Sequence, residues 1–102
     1  MYQIQGTFTV PASVEKISGS FVGQEKMTEL KISEGVKEIG KYTIEGSMIT
    51  KIEIPSSVEK IDGRALAECL SLTQVIIHKP KDSIAGAPWG ATKGMKVVQW
   101  DE

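Results

Sequence analysis

The pentapeptide SVEKI occurs at Ser13–Ile17 and again at Ser57–Ile61, and GVKEI lies midway between them at Gly35–Ile39. The three copies are 22 residues apart, and the middle copy exchanges the order of its lysine and glutamate. A fixed period of this length is typical of solenoid proteins, in which each repeat forms one coil. We therefore expect the chain to fold as a stack of coils, each about 22 residues long.

A short stretch of alternating apolar residues follows each pentapeptide. LKIS (30–33), IEIP (52–55) and VIIH (75–78) follow the three copies in turn. A related stretch, FTVP (8–11), precedes the first copy, and VVQW (97–100) lies one further repeat along the chain. A period of two predicts β-strands, and a unit this short buries its apolar face only by stacking on its neighbours. We predict parallel, in-register strands joined by short irregular or helical returns. Each return carries a second apolar group, which in the last coil comprises Ala87, Trp89 and Met95.

Charged residues alternate in sign from one repeat to the next. The sets of equivalent positions are Glu15–Lys37–Glu59, Lys16–Glu38–Lys60, Glu29–Lys51 and Lys31–Glu53. In a parallel, in-register stack, equivalent side chains lie ~4.8 Å apart, so opposite charges attract modestly. A slip by one coil would bring like charges together. The alternation is therefore predicted to help fix the register.

The stretch IPSSVEKIDGRALAECLSLTQVII (54–77) resembles the bacterial surface-type, or BspA-like, leucine-rich repeat. The matching residues are Pro55, Val58, Ile61, Ala65, Cys69, Leu72, Val75 and Ile77. Other repeats depart from the pattern, with Thr43 at a usual alanine and Glu25 and Ser47 near the cysteine position. GAPWGA (86–91) also resembles the closing segment after the last repeat in such proteins, including some of phage tails. The resemblance implies a β-rich leucine-rich-repeat solenoid, capped at both ends.

We predict one domain, with an N-terminal cap strand in residues 1–10, three repeats in residues 11–77 and a C-terminal capping coil in residues 78–102. Alternation of Tyr2 and Ile4 indicates the cap strand at the start. Trp89 and Trp100 lie in the atypical last coil. Two such large rings either cover the last apolar layer, or one of them is exposed as an anchor for a partner.

Residues with catalytic or ligating chemistry are few. His78 is the only histidine and Cys69 the only cysteine, and no nucleophile or P-loop motif accompanies them. We expect His78 to be exposed without a structural role and Cys69 to pack in the core. The stretch GAPWGATKG (86–94) is expected to form a capping turn. We predict no enzymatic activity, cofactor or metal site.

The bulk composition excludes several classes of partner. Twelve basic and 13 acidic residues give a net charge of −1, which provides no long-range attraction to nucleic acid. The sequence contains no run of 18 apolar residues, so no membrane-spanning helix is predicted. The opening residues lack the features of a secretory signal. The chain is therefore expected to be cytoplasmic, a piece of a longer protein, or exported by another route.

The remaining functional hypothesis is a binding surface on the strand face of the solenoid. Its charged part is already paired, so we predict a contact patch at the less charged C-terminal end, comprising Gln74, Ile76, His78, Val97 and Gln99. The resemblance implies a protein or glycan partner and a bacterial cell-surface or virion location. The alternative is a structural spacer or self-assembly element, in which the chain forms homo-oligomers through an edge or an end.

Overall fold

A computed structural model describes residues 5–19 and 21–101. Its elements are β1 (Gly6–Val10), β2 (Lys16–Ile17), β3 (Met27–Ile32), β4 (Glu38–Ile39), β5 (Lys51–Ile54), β6 (Lys60–Ile61), β7 (Gln74–Pro80), a 3₁₀ helix (Gly94–Val97) and β8 (Val98–Asp101). The predicted strands are therefore present in every repeat. Each of the three pentapeptides ends in a two-residue strand, and these strands are β2, β4 and β6.

The strands form two parallel sheets that run the length of the molecule. One sheet has the order β1-β3-β5-β7-β8, and the other has the order β2-β4-β6. Pairing joins residues one repeat apart, as in Leu30 with Ile52 and Ile52 with Val75. We number the coils by their long strands, as first (6–26), second (27–50), third (51–73) and fourth (74–97). The predicted β-solenoid of parallel strands and about 22 residues per coil is confirmed.

The core lies between the two sheets and the irregular returns. Inward positions of the long strands, including Leu30, Ile52 and Val75, are fully buried, and so is Ile39 at the second pentapeptide. These side chains stack above one another because equivalent residues of successive coils share one inward position. Burial of an aliphatic side chain contributes about 1.5–3 kcal/mol. The stacked columns therefore supply the main stabilisation of the fold.

Two of the three residues that depart from the repeat pattern, Thr43 and Ser47, are buried with their hydroxyls hydrogen-bonded, whereas Glu25 is exposed. The Thr43 hydroxyl donates to the carbonyl of Gly40 over 2.8 Å. The Ser47 hydroxyl lies 3.4 Å from the Cys69 sulfur, and the Cys69 thiol also lies 3.4 Å from the Ile49 carbonyl. Burial of a polar group is costly unless it is hydrogen-bonded. The substitutions are therefore accommodated without disturbing the stack, and Cys69 packs in the core as predicted.

Aromatic pairs lie against both ends of the aliphatic core. The rings of Phe8 and Phe21 are 5.5 Å apart at the N-terminal end, and those of Trp89 and Trp100 are 5.7 Å apart at the other. Trp89 is fully buried and its indole N–H donates to the carbonyl of Ala85, while Trp100 is half-buried against the core. Neither tryptophan is a free anchor. Of the cap strand predicted in residues 1–10, residues 1–4 lie outside the described residues and residues 6–10 form β1. The predicted domain boundaries stay predictions.

Two apolar residues of the returns are exposed to solvent. Met95 is 48% exposed and Val22 is 42% exposed, although both belong to the apolar group of a return. Met95 lies in the 3₁₀ helix, whose turn points it outward while Val97 fills the inward position. Val22 lies in the first coil, where no earlier coil of the described residues covers it. The sequence groups Met95 with the apolar residues of the last return, but the 3₁₀ helix places its side chain outside the core.

The backbone at Gly35 explains why the middle pentapeptide begins with glycine, whereas the other two begin with serine. Its φ angle is +118°, and an added Cβ would lie 2.5 Å from the carbonyl oxygen of Ala12 in the coil below. Its amide donates to the hydroxyl of Ser57 in the coil above over 2.9 Å. Both the backbone angle and the close approach therefore require glycine at this position.

We expect Gly35→Ala to destabilise the fold by at least about 1 kcal/mol, because alanine is strained at this angle and collides with the backbone. For a domain of this size the melting temperature should fall by about 4 °C or more. Gly63→Ala is the matched control, since no atom lies within 4 Å of its added Cβ and its φ is not positive. Equal melting temperatures for the two variants, measured by circular dichroism, would contradict this account.

The exchanged charges of the middle pentapeptide face opposite charges in both neighbouring coils. Register pairs Glu38 with Lys16 on one side and with Lys60 on the other. The Lys16 ammonium lies 3.3 Å from the Glu38 carboxylate. The Lys37 amide donates to the carbonyl of Glu15, which places that column in the same stacking order. The predicted columns of alternating charge are therefore present in the stack.

Exchanging the middle pair, as Lys37→Glu with Glu38→Lys, should lower the melting temperature at low salt. Four attractive neighbours become repulsive, and exposed pairs of this kind contribute about 0–1 kcal/mol each. The loss should shrink between ~10 mM and ~1 M salt, where the Debye length falls from ~30 Å to ~3 Å.

The matched control also reverses the charges of the first and third pentapeptides. It restores alternation with the same composition, so its melting temperature should return toward that of the native sequence. A control that melts as low as the two-residue variant would show that the sign pattern does not matter.

Candidate binding surface

The outward side chains of the long sheet form one continuous face across all four coils. The face comprises Thr7, Thr9, Glu29, Lys31, Lys51, Glu53, Gln74, Ile76 and Gln99, in the register that the sheet imposes. Successive residues of a strand point to opposite sides, so alternate positions share this face. The sequence pattern predicted this arrangement in full except at the last strand.

The first three coils of the face are internally paired. The Lys51 ammonium lies 3.6 Å from the Glu29 carboxylate, and the Thr7 hydroxyl donates to the same carboxylate over 3.2 Å. Lys31 lies beside Glu53 in register. Because these charges neutralise one another, this part of the face provides little net attraction for a charged partner.

Four of the five residues predicted to form a contact patch lie together on β7 and β8. Ile76 pairs in register with Gln99, and the Gln74 amide donates to the Gln99 side-chain carbonyl over 3.4 Å. Gln99 and His78 are exposed, while Gln74 and Ile76 are partly exposed. The amides and one aliphatic side chain therefore form an uncharged surface next to the histidine.

Val97 does not belong to this surface, and its predicted place there was wrong. It ends the 3₁₀ helix and is buried with only 3% of its surface exposed. Strand β8 begins one residue later, at Val98, which pairs with Val75. The alternation V-V-Q-W did not reveal that the helix turns the first valine inward.

His78 lies between two carboxylates on neighbouring strands. Its Nε2 is 2.7 Å from the Glu53 carboxylate on β5, and its Nδ1 is 3.5 Å from the Asp101 carboxylate on β8. The side chain is exposed as predicted, but it joins three strands of the sheet and is not incidental. Alternation along β7 would have placed His78 on the same face as Ile76, whose register partner is Glu53. A register shift between Ile77 and Pro80 pairs Asp101 with Pro80, and no pattern in the sequence predicts this shift.

The two carboxylates change the proton affinity of the histidine. The hydrogen bond with Glu53 is the main cause that raises the pKa of His78 above its usual 6.5; partial burial opposes it, and the negative charge of Asp101 adds to it. The same bond is the main cause that lowers the pKa of Glu53, with help from the charges of Lys31 and Lys51. The protonated histidine therefore donates to Glu53 and is held beside Asp101.

The described residues also define what the surface does not contain. They include no group of three or more histidine, cysteine, aspartate or glutamate side chains arranged to hold a metal ion. Among the same residues, no helix has the length and apolarity that crossing a membrane requires. The glycine-rich stretch of the fourth coil inserts Trp89 into the core, with the Trp89 amide donating to the Gly86 carbonyl.

The parallel coils, the repeat length and the stacked aliphatic columns define a leucine-rich-repeat solenoid. The family model described as BspA type leucine rich repeat region (6 copies) matches residues 3–92, and the chain belongs to this family. Such repeats are in general non-catalytic scaffolds. No curated protein and no solved structure gives a significant match.

The His78 cluster should make stability depend on pH. A histidine with a raised pKa stabilises the fold fully below its unfolded value of about 6.5, and this contribution disappears as pH rises through the folded pKa. The lowered pKa of Glu53 adds stability above about 4.5 that disappears as pH falls through its folded pKa. The contribution of the pair is therefore greatest between these two unfolded pKa values.

We expect His78→Gln to lower the melting temperature between the unfolded pKa values of Glu53 and His78 and to have little effect at alkaline pH. The pair is largely exposed, so the difference should be about 1–4 °C. Glu53→Gln should lose most of the same pH dependence, and the double variant should lose little more than either single one. A melting-temperature difference that stays constant from acid to alkaline pH would disprove this role for the pair.

Proposed function

We propose that the chain is a non-catalytic binding module of a bacterial cell-surface or phage-tail protein. It recognises a protein or a glycan through the C-terminal end of its strand face. Membership of the BspA-type family supports a repeat module with a binding role. Solenoids of stacked repeats use their extended faces for such contacts.

The observation that carries this proposal is the change in character of the face between the third and fourth coils. The column that reads Thr9, Lys31 and Glu53 continues as Ile76, so a paired charge is replaced by an aliphatic side chain. Glutamine amides replace the neighbouring charges, as in Gln99 beside Ile76. An uncharged surface loses less hydration energy on binding than a charged one.

The chemistry of this surface suits a partner with neutral hydrogen-bonding groups. The side-chain amides of Gln74 and Gln99 carry N–H donors and carbonyl acceptors, of which one Gln74 N–H already bonds to the Gln99 carbonyl. Ile76 provides an apolar contact between them, and His78 borders the surface with its ring nitrogens directed at Glu53 and Asp101. Hydroxyl groups of a glycan and main-chain groups of a peptide both match this set. Binding by such a surface should change little with salt, because no net charge has to be neutralised.

A screen on glycan and protein arrays, followed by titration of each hit, tests the proposal. Ile76→Asp should weaken binding at least about tenfold, because it places an unpaired charge at the centre of the contact. Thr9→Asp is the matched control, since Thr9 lies in the same column at the opposite end of the face. It should leave binding unchanged.

Chemical-shift mapping of the bound chain supplies the second criterion. The largest changes should occur at Gln74, Ile76 and Gln99. Three results would count against the proposal: no hit on either array, equal losses for Ile76→Asp and Thr9→Asp, or shift changes confined to another face.

A further inference from the structure

A second surface, away from the strand face, exposes large apolar side chains in the returns. Met48 is 49% exposed and Leu70 is 69% exposed, and they occupy equivalent positions of the second and third coils. Both line a shallow cleft of about 360 Å³ whose other residues include Glu45 and Glu68. Adjacent exposed apolar residues of this size are typical of contact surfaces.

The charges at this cleft do not follow the alternation found elsewhere in the stack. Glu45 and Glu68 belong to neighbouring coils, and no lysine or arginine lines the cleft with them. Within residues 5–19 and 21–101, neither carboxylate has an ion-pair partner within 4.0 Å. Both carboxylates of a single copy are therefore left available to a cation from outside it.

The backbone at Glu68 adds an independent observation. Its φ angle is +60°, in the left-handed region that favours glycine. The equivalent residue of the second coil is Gly46, with φ +70°, and its amide donates to the Glu68 carbonyl over 2.8 Å. The third coil thus keeps a carboxylate where its neighbour uses glycine.

The fourth coil continues the same edge with the opposite charge. The Leu66 amide donates to the Trp89 carbonyl, and Val75 pairs with Val98, so an offset of 23 residues holds on both sides of the return. This offset places Lys93 at the position of Leu70. Lys93, Met95 and Lys96 are all exposed and lie within four residues of the chain, so an apolar residue is flanked there by two cations.

The edge patch therefore has two halves. Its acidic half consists of Glu45, Met48, Glu68 and Leu70, and its basic half consists of Lys93, Met95 and Lys96. Lys26 of the first coil occupies the position equivalent to Met48, but it is a single cation, and the exposed apolar residue of that coil, Val22, lies at the position of the buried Ile44. The patch runs from acidic to basic along the stack.

We infer that the edge patch is a self-association surface, on which the acidic half of one copy packs against the basic half of a second copy. Because the two halves follow one another along the stack, a two-fold axis perpendicular to it brings each half against its opposite. The solenoids then lie antiparallel, and Met48 and Leu70 of each copy meet Met95 of the other. Complementary charge on both sides of an apolar contact fixes this orientation.

This association is independent of the proposed binding function. It uses the returns, whereas the proposed ligand surface uses the strands, and Ile76 belongs to neither half of the edge patch. Dimerisation would present two strand faces from one assembly, which raises the apparent affinity for a repetitive partner. A failure of one hypothesis leaves the other unaffected.

Sedimentation equilibrium over a concentration series tests the inference. The native chain should show a reversible monomer–dimer equilibrium that weakens at high salt. Leu70→Ser should weaken it at least about tenfold, because it removes the most exposed apolar contact. Val22→Ser is the matched control, since Val22 is similarly apolar and exposed but lies in the first coil outside the patch. It should leave the equilibrium unchanged.

Mixing two charge variants provides the decisive comparison. Glu45→Lys with Glu68→Lys makes the patch wholly basic, and Lys93→Glu with Lys96→Glu makes it wholly acidic. Each variant alone should remain monomeric, and an equimolar mixture should form a heterodimer, which also establishes that both variants fold. A monomeric native chain at millimolar concentration, a mixture that stays monomeric, or assembly that continues beyond the dimer would overturn the inference.

Discussion

The structure depends on a single constraint, which is the fixed offset of one repeat between hydrogen-bonded neighbours. In the long sheet the offset is 22 residues from β1 to β3 and from β3 to β5, and 23 at each of the last two steps, while the short sheet keeps 22 throughout. Side-chain bonds follow the same rule, as when the Ser56 hydroxyl donates to Glu34 and the Thr50 hydroxyl to Thr28 across 22 residues. One register therefore determines the aliphatic columns, the charge pairs and the surfaces.

The offset also separates the roles of the residues. Inward strand positions form the core and outward ones form the strand face. The returns form an edge, where no strand alternation determines which side chains point inward. Inward strand positions repeat their chemistry from coil to coil, as at Leu30, Ile52 and Val75. Return positions vary freely, as at Gly46 and Glu68, where the same backbone conformation carries glycine in one coil and glutamate in the next. Distinctive chemistry therefore accumulates at the edge and at the last coil.

The sequence predicted the register and the burial of the strand residues, which follow from the repeat period. The register of Glu29 with Lys51 and the burial of Ile52 follow from counting residues, because parallel stacking aligns equivalent positions. The prediction failed for residues whose positions the repeat period does not determine. Val97 was misplaced because a 3₁₀ helix replaces the expected strand start, and the bond between Glu53 and His78 was missed because it joins positions 25 residues apart. The exposed pair at Met48 and Leu70 was not anticipated because irregular returns carry no alternation that assigns inside and outside.

Nuclear Overhauser contacts between side-chain methyl groups of the inward column test the in-register parallel stack most directly. The account predicts contacts that join Leu30 to Ile52 and Ile52 to Val75, together with amide contacts between the register partners Lys31 and Glu53. Contacts that instead join Leu30 to Ile54, as in a slipped register, or close Hα–Hα contacts between neighbouring strands, as in antiparallel pairing, would contradict it.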